Sequence, residues 1–144
     1  MSKHIGIVGL GIMGSAISGN FLKSGYAVTG FDITADRCEE LAGKGGTVAG
    51  SPGEVAANTD IVLTSLPSSA ALDAVVSGDD GIAAAANTAA PVMECSTLPI
   101  EDKQRNHDAL AAAGVTLLDA PLSGTGAQAL NKDLAVYLSG GENA

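Results

Sequence analysis

Short apolar segments rich in β-branched residues alternate along this chain with longer segments of helical periodicity. Six of the apolar segments have the length of a strand, and a seventh, shorter strand is expected around residues 47–49. The six lie at residues 5–8, 27–31, 61–65, 92–95, 115–118 and 134–138. Strands that alternate with helices are joined by right-handed crossovers into a parallel sheet. The pattern therefore predicts an α/β fold with a mostly parallel sheet.

The segment after the first strand has the clearest helical pattern. Met13, Ile17 and Phe21 recur every four residues, which places them on one face of a helix. Lys23 falls in the last turn and Gly25 just past it, which is the usual chemistry of helix termination. We therefore expect this helix to end before Gly25.

Three further segments complete the organisation of the chain. A second helix is expected from about Pro99, with two acidic residues in its first turn, to Gly114. The Ala-rich residues 83–90 are interpreted as a helix end and a loop. Residues 140–144 form a turn that should lead into another element. We expect residues 1–144 to be one domain of a longer protein.

A glycine-rich turn joins the first strand to the first helix. Its sequence is Gly9-Leu10-Gly11-Ile12-Met13-Gly14. The first glycine permits a tight turn, the second lets the backbone approach a pyrophosphate, and the third lets helix and strand pack closely. The helix N-terminus then offers N–H groups and its positive dipole end to the phosphates. The turn predicts a dinucleotide site on a Rossmann-type, doubly wound sheet with helices on both faces, and a turn without a ligand is less favoured.

Asp32 follows the second strand, at about the spacing from Gly9 that is expected for a ribose-binding carboxylate. Such a carboxylate accepts hydrogen bonds from the adenosine ribose and repels a 2′-phosphate, which favours NAD over NADP. Arg37 lies close by in sequence and weakens that preference. The alternative interpretation of Asp32 is a solvated residue that begins a turn.

Three more segments follow the ends of predicted strands. They are Leu66-Pro67, Ser96-Thr97 and residues 121–123. In a doubly wound sheet, ligands bind outside the carboxyl ends of the strands, so these segments should face the same crevice as Gly9 and Asp32. Thr97 is also a candidate N-cap for the helix near Pro99, and the two roles are compatible.

Composition narrows the class of protein further. Hydrophobic residues make up 46 % of the chain but aromatic ones only 3 %, so aliphatic side chains must fill the core. The net charge of −9 argues against nucleic acid and anionic membranes as partners. Two cysteines, Cys38 and Cys95, are too few for a disulfide framework, and we interpret Cys95 as a buried residue. We interpret His4 and His107 as surface groups rather than metal ligands. Without a signal peptide or a membrane-spanning run, the expected location is the cytoplasm.

Four segments together resemble the β-hydroxyacid dehydrogenase family, which includes 3-hydroxyisobutyrate and tartronate semialdehyde reductases. They are the glycine turn, Leu66-Pro67, Ser96-Thr97 and Asp119-Ala120-Pro121-Leu122-Ser123-Gly124. The resemblance implies that Leu66, Pro67 and Thr97 line the nicotinamide side of NAD, and that Ser123 and Gly124 bind the carboxylate of the substrate. It also implies a homo-oligomer whose contacts run mainly through an all-helical C-terminal domain.

The chain departs from the family pattern at three positions and in its catalytic base. Thr125, Gln128 and Lys132 stand where the family usually has glycine. The resemblance places the catalytic lysine on a helix beyond this chain, and none of the lysines here lies in that motif. We therefore expect no catalytic residue in this chain, and we interpret Lys132 as a solvated loop or helix residue.

The sequence thus predicts reversible hydride transfer between NAD and a small 3-hydroxy acid, with this chain as the cofactor-binding half. A non-catalytic module that binds NAD(H) and acts through partners is the alternative, but it leaves residues 119–124 unexplained. Binding of S-adenosylmethionine or a flavin on the same fold is a third and weaker hypothesis.

Overall fold

Six parallel strands form the main sheet of the computed structural model, which describes residues 3–85 and 90–141. The strands are β1 (His4–Val8), β2 (Ala27–Phe31), β3 (Thr47–Val48), β4 (Ile61–Thr64), β5 (Val92–Glu94) and β6 (Leu117–Asp119). Their order in the sheet is β3-β2-β1-β4-β5-β6, with every neighbouring pair parallel. This order, which reverses direction at β1, is that of a Rossmann-type doubly wound sheet. The predicted fold class is therefore confirmed.

Helices connect these strands and cover both faces of the sheet. They are α1 (Ile12–Lys23), α2 (Ala35–Gly43), α3 (Pro52–Ala57), α4 (Ser69–Ser77), α5 (Ile100–Ala112) and α6 (Gly126–Leu130), with a 3₁₀ turn at Ile82–Ala84. α1 ends at Lys23, and Gly25 follows with φ of +84°, as its sequence predicts. None of the helices in the described residues is long and apolar enough to cross a membrane.

Two clusters of buried apolar side chains hold the layers together. One contains residues of β4, β5, α4 and α5, among them Val62, Leu72, Val92 and Leu110. The other contains residues of β1, β2 and α2, among them Ile5, Ile7, Val28 and Leu41, and half-buried Ile17 and Phe21 of α1 pack against it. Because nearly all these side chains are aliphatic, the core is built as the low aromatic content predicts.

The last predicted strand differs from its expected place. Residues 134–138 contribute β8 (Ala135–Val136), which pairs antiparallel with β7 (Leu122–Ser123) in a separate two-stranded sheet. Ser139 then pairs antiparallel with Asp119 at the edge of the main sheet. The segment folds back because it pairs with β7, and Tyr137 N also donates a hydrogen bond to Pro121 O at 3.1 Å, just before β7. The predicted loop at 83–90 and the turn at 140–144 lie partly outside the described residues.

The closest packing in the fold lies between the glycine turn and α1. A Cβ atom on Gly14 would overlap the carbonyl oxygen of Gly9, and a Cβ atom on Gly9 would overlap the carbonyl oxygen of Ser65. Gly9 also has φ of +94°, which disfavours any other residue. The first and third glycines are therefore required by the fold itself.

We expect Gly14→Ala to lower the free energy of unfolding by at least about 2 kcal/mol, because the added methyl group has no space. Gly19→Ala is the matched control in the same helix, since a Cβ atom there meets nothing within 4 Å. It should raise stability by about 1 kcal/mol through helix propensity. Urea unfolding measures both, and equal midpoints for the two variants would contradict the close approach.

Candidate functional site

The carboxyl ends of five parallel strands form one row. Direct register partners run along the sheet in the order Phe31, Val8, Thr64, Glu94 and Asp119. Every predicted site segment begins just beyond this row, as the position of each segment after a strand predicts. At about 4.8 Å per strand, the row extends over roughly 19 Å. The structure therefore brings the predicted residues to one edge of the sheet.

The glycine turn presents free backbone groups to open space. Gly11 is the N-cap of α1 and, within the described residues, makes no side-chain cap hydrogen bond. The first intrahelical bond is donated by Ser15 N to Gly11 O at 2.8 Å, so the preceding N–H groups have no partner in the helix. A Cβ atom on Gly11 would have Arg37 Nη1, 3.8 Å away, as its nearest neighbour. The turn thus has donors, a nearby cation and room for the oxygens of a pyrophosphate.

Asp32 is held in place by the turn itself. Its side chain is only 6 % exposed, and Oδ2 accepts a hydrogen bond from Leu10 N at 2.8 Å. Oδ1 accepts from Thr34 N at 2.8 Å, and Arg37 Nη1 lies 3.4 Å from Oδ2. Burial alone would raise the pKa of Asp32, but the two backbone N–H groups and Arg37 together hold it below its usual value. Asp32 is a fixed carboxylate rather than a freely solvated residue.

The turns after β4 and β5 are joined by Ser96. Leu66 N donates a hydrogen bond to Ser96 Oγ at 2.8 Å, and Ser96 N donates to Glu94 Oε1 at 3.0 Å. Thr97 is exposed and lies next to Ser96 on this wall of the crevice. The N-cap of α5 is Pro99, so the interpretation of Thr97 as that N-cap is wrong. The reason is that Pro99 lies outside the helix, which starts at Ile100, two residues later than an N-cap at Thr97 requires.

The predicted substrate segment lies beside the glycine turn. Ser123 ends β7 and is exposed, and Gly124 has φ of +149°. The start of α6 packs against α1, because a Cβ atom on Gly126 would lie 2.5 Å from Ile12 Cγ2. Asn20 Nδ2 also donates to Ala129 O at 2.7 Å. Substrate and cofactor segments are therefore neighbours in the described structure.

The departures from the family pattern have local structural roles. Thr125 and Gln128 form the capping box of α6: Thr125 Oγ1 accepts from Gln128 N at 3.3 Å, and Gln128 Oε1 accepts from Thr125 N at 2.8 Å. Lys132 has φ of +58°, a conformation that favours glycine. Its side chain is exposed and donates to Ser24 Oγ at 3.1 Å, which agrees with its interpretation as a loop residue.

A buried ionic group that the sequence did not predict lies at the row of strand ends. Glu94 is fully buried, and Lys103 Nζ lies 3.0 Å from its Oε2 and 2.6 Å from Asp119 Oδ1. Burial alone would lower the pKa of Lys103, but its contacts with Asp119 and Glu94 raise it above the usual value. An acidic residue inside the apolar run 92–95 was the signal that could have revealed this group.

The remaining candidates lie as the sequence suggests, with one exception. Cys95 is buried as expected, and desolvation together with the charge of Glu94 raises the pKa of its thiol to about 12. His107 is exposed on α5. His4 is only partly exposed, because its Nε2 lies 2.7 Å from Thr29 Oγ1 at the opposite edge of the sheet. Its interpretation as a surface group is therefore incomplete.

The sheet order, the open glycine turn and the fixed carboxylate define a dinucleotide-binding domain. The chain belongs to the family described as the NAD binding domain of 6-phosphogluconate dehydrogenase, which matches residues 4–144. This match confirms the predicted NAD-binding domain.

Curated relatives and solved structures confirm the resemblance to hydroxyacid dehydrogenases. The chain is 35 % identical over 143 residues to the mitochondrial 3-hydroxyisobutyrate dehydrogenase of Drosophila melanogaster, covering 99 % of this chain and 43 % of the relative. It is 33 % identical over 140 residues to L-threonate dehydrogenase of Cupriavidus necator, covering 97 % and 47 %. The structure of Mycobacterium tuberculosis 3-hydroxyisobutyrate dehydrogenase with L-serine superposes with a TM-score of 0.90 at 31 % identity, covering 99 % and 48 %. The chain thus spans about half the length of these relatives.

The hydrogen bonds of Asp32 lead to a prediction about acid stability. The folded-state pKa of Asp32 is lowered, so its carboxylate stabilises the fold above its usual pKa of 3.8, and this contribution is lost as the pH falls through the folded-state value. In Asp32→Asn, the side-chain NH₂ group faces one of the two backbone N–H groups and cannot accept its hydrogen bond. This change should lower the free energy of unfolding by about 1–3 kcal/mol at neutral pH. The difference from the wild type should shrink below pH 3.8.

Urea unfolding at a series of pH values measures this difference. Asp79→Asn is the matched control, because Asp79 is an exposed residue between α4 and the 3₁₀ turn. The control should differ little from the wild type at every pH. A constant difference between wild type and Asp32→Asn from neutral pH down to the acid transition would contradict the assignment.

Proposed function

We propose that this chain is the cofactor-binding half of an NAD-dependent dehydrogenase that acts on a small 3-hydroxy acid, of the size and polarity of 3-hydroxyisobutyrate. The observation that carries the proposal is the common edge of the sheet, where the glycine turn, Asp32 and the segment of Ser123 meet. A site for cofactor alone would need only the first two. The names of the relatives, which are dehydrogenases of short hydroxy acids, support the same substrate class.

The residues at this edge fit NAD. The N–H groups after Gly11 face open space beside Arg37, and no acidic residue lies in the first turn of α1 to repel a phosphate. Asp32 has the position of a ribose acceptor, and each carboxylate oxygen accepts more than one hydrogen bond. Bound NAD would supply the hydride acceptor for oxidation of the hydroxyl carbon.

The preference for NAD over NADP rests on Asp32. Its carboxylate is negatively charged at neutral pH and would repel a 2′-phosphate on the same ribose. Arg37 offsets part of this charge from 3.4 Å, yet its side chain is half exposed and screened by water. We therefore propose NAD as the main cofactor and NADP as a weaker ligand.

At the substrate end, Ser123 and Gly124 can donate and accept hydrogen bonds, but neither of these two residues is a general acid or base. We propose that Ser123 and the backbone of Gly124 bind the substrate carboxylate, and that Leu66, Pro67 and Thr97 line the nicotinamide side. The general base for the hydroxyl proton would come from a helical domain outside this chain. We further propose that the complete protein is a homo-oligomer in the cytoplasm, where the free thiols of Cys38 and Cys95 stay reduced.

Replacing Asp32 tests the cofactor preference. Asp32→Ser should weaken NADH binding about tenfold, the effect of one lost hydrogen bond to a charged group. It should leave NADPH binding equal or tighter, because the repulsion is removed while Arg37 remains. Adding Arg37→Met should then weaken NADPH again. Fluorescence titration of the 144-residue chain measures the affinities of the wild type and both variants for NADH and NADPH, and equal losses for NADH and NADPH in Asp32→Ser would indicate general damage instead.

Activity of the complete protein tests the reaction. With NAD and a panel of short 3-hydroxy acids, we expect reduction of NAD with at least one of them, and Ser123→Ala should raise KM for it about tenfold with the affinity for NADH unchanged. Ser77→Ala, at the exposed end of α4, is the control and should behave as wild type. NADH binding without turnover of any hydroxy acid would favour a non-catalytic module.

A further inference from the structure

Glu94 fixes the two turns that form the nicotinamide wall. Its Oε1 accepts hydrogen bonds from Ser96 N at 3.0 Å and from Thr64 Oγ1 at 3.3 Å. Ser96 Oγ in turn accepts from Leu66 N, which belongs to the turn after β4. One buried carboxylate therefore determines where Leu66 and its neighbours stand. Its other oxygen, Oε2, is buried and has no hydrogen-bond donor of suitable geometry among the described residues.

Lys103 connects this carboxylate to the substrate segment. It lies in the first turn of α5, is 8 % exposed, and places Nζ 3.0 Å from Glu94 Oε2 and 2.6 Å from Asp119 Oδ1. Asp119 is the first residue of the segment that ends in Ser123 and Gly124. Its backbone exchanges two hydrogen bonds with Ser139, at 3.0 and 2.8 Å. The backbone of Asp119 is therefore held by Ser139, and its side chain by Lys103. A single ammonium group thus contacts both walls of the crevice.

We propose that Lys103 is a positioning residue that holds the nicotinamide wall and the substrate segment in one arrangement, through its ion pairs with Glu94 and Asp119. The inference rests on the proposed function. A buried ion pair is weak evidence for a role in stability alone, because apolar residues of similar volume often stabilise a core as well. The ion pairs here end on the last residues of β5 and β6, and the two segments that follow these strands must stay in register for the proposed reaction.

The Lys103–Glu94 contact, called the nicotinamide branch, and the Lys103–Asp119 contact, called the substrate branch, can be tested by separate measurements. Glu94→Gln breaks the branch to the nicotinamide wall and should weaken NADH binding about fivefold while ADP-ribose, which lacks nicotinamide, binds within about twofold of wild type. Asp119→Asn breaks the branch to the substrate segment and should raise KM for the hydroxy acid about fivefold at unchanged NADH affinity. Lys103→Met should produce both effects. Lys23→Met, at the exposed end of α1, is the control and should produce neither.

The binding measurements use the 144-residue chain, and the KM values use the complete protein. If Lys103→Met does not fold, the double variant Glu94→Gln/Lys103→Met removes both buried charges, and a raised KM is still expected in it because the link to Asp119 is absent. Lower unfolding midpoints with unchanged affinities and KM would overturn the inference and leave a structural role. Equal affinities of the wild type for NADH and ADP-ribose would overturn its nicotinamide branch. Failure of the wild type to bind either ligand would instead overturn the proposed function.

Discussion

The whole site depends on the approach of α1 to the end of β1. The carbonyl oxygen of Gly9 occupies the space where a side chain of Gly14 would begin, so the helix starts directly against the strand. This contact directs the helix N-terminus into the crevice and leaves Gly11 beside open space. Because Leu10 N in the same turn donates to Asp32, the glycine turn and Asp32, which we propose bind the pyrophosphate and the ribose, are linked directly. A shift of α1 would move both together.

The two carboxylates at the strand ends, Asp32 and Glu94, are both largely removed from water, but their charges are stabilised in different ways. Asp32 follows β2 and Glu94 ends β5, and each accepts a hydrogen bond from the backbone N–H two residues further along the chain, that of Thr34 or Ser96. The Asp32 side chain keeps 6 % of its surface exposed beside the glycine turn, whereas Glu94 is fully enclosed and is paired with the ammonium of Lys103. The first is suited to contact a ligand, and the second to support the residues that do.

The sequence was sufficient to predict the sheet, the glycine turn and the edge at which the site lies, because these follow from periodicity and from the position of segments after strands. It did not reveal the antiparallel return of β8, which depends on the pairing of β8 with β7, a two-residue strand that the periodicity does not predict. Nor did it reveal the pairing of Glu94 with Lys103, since the two meet only when α5 packs on the sheet. The prediction that Thr97 caps α5 is wrong because a sequence defines the start of a helix only to within one or two residues. Contacts between segments that are distant in sequence were thus the features that the sequence did not predict.

The enclosure of Glu94 has a consequence for how this domain can change over evolutionary time. A neutral residue at position 103 would leave a charge without a partner in the interior, and a neutral residue at position 94 would leave the ammonium with Asp119 alone. We therefore expect a single replacement at either position to cost more stability than the joint replacement of both. Among descendants and near relatives, positions 94 and 103 should accordingly vary as a pair, and an inherited change at one should be accompanied by a change at the other.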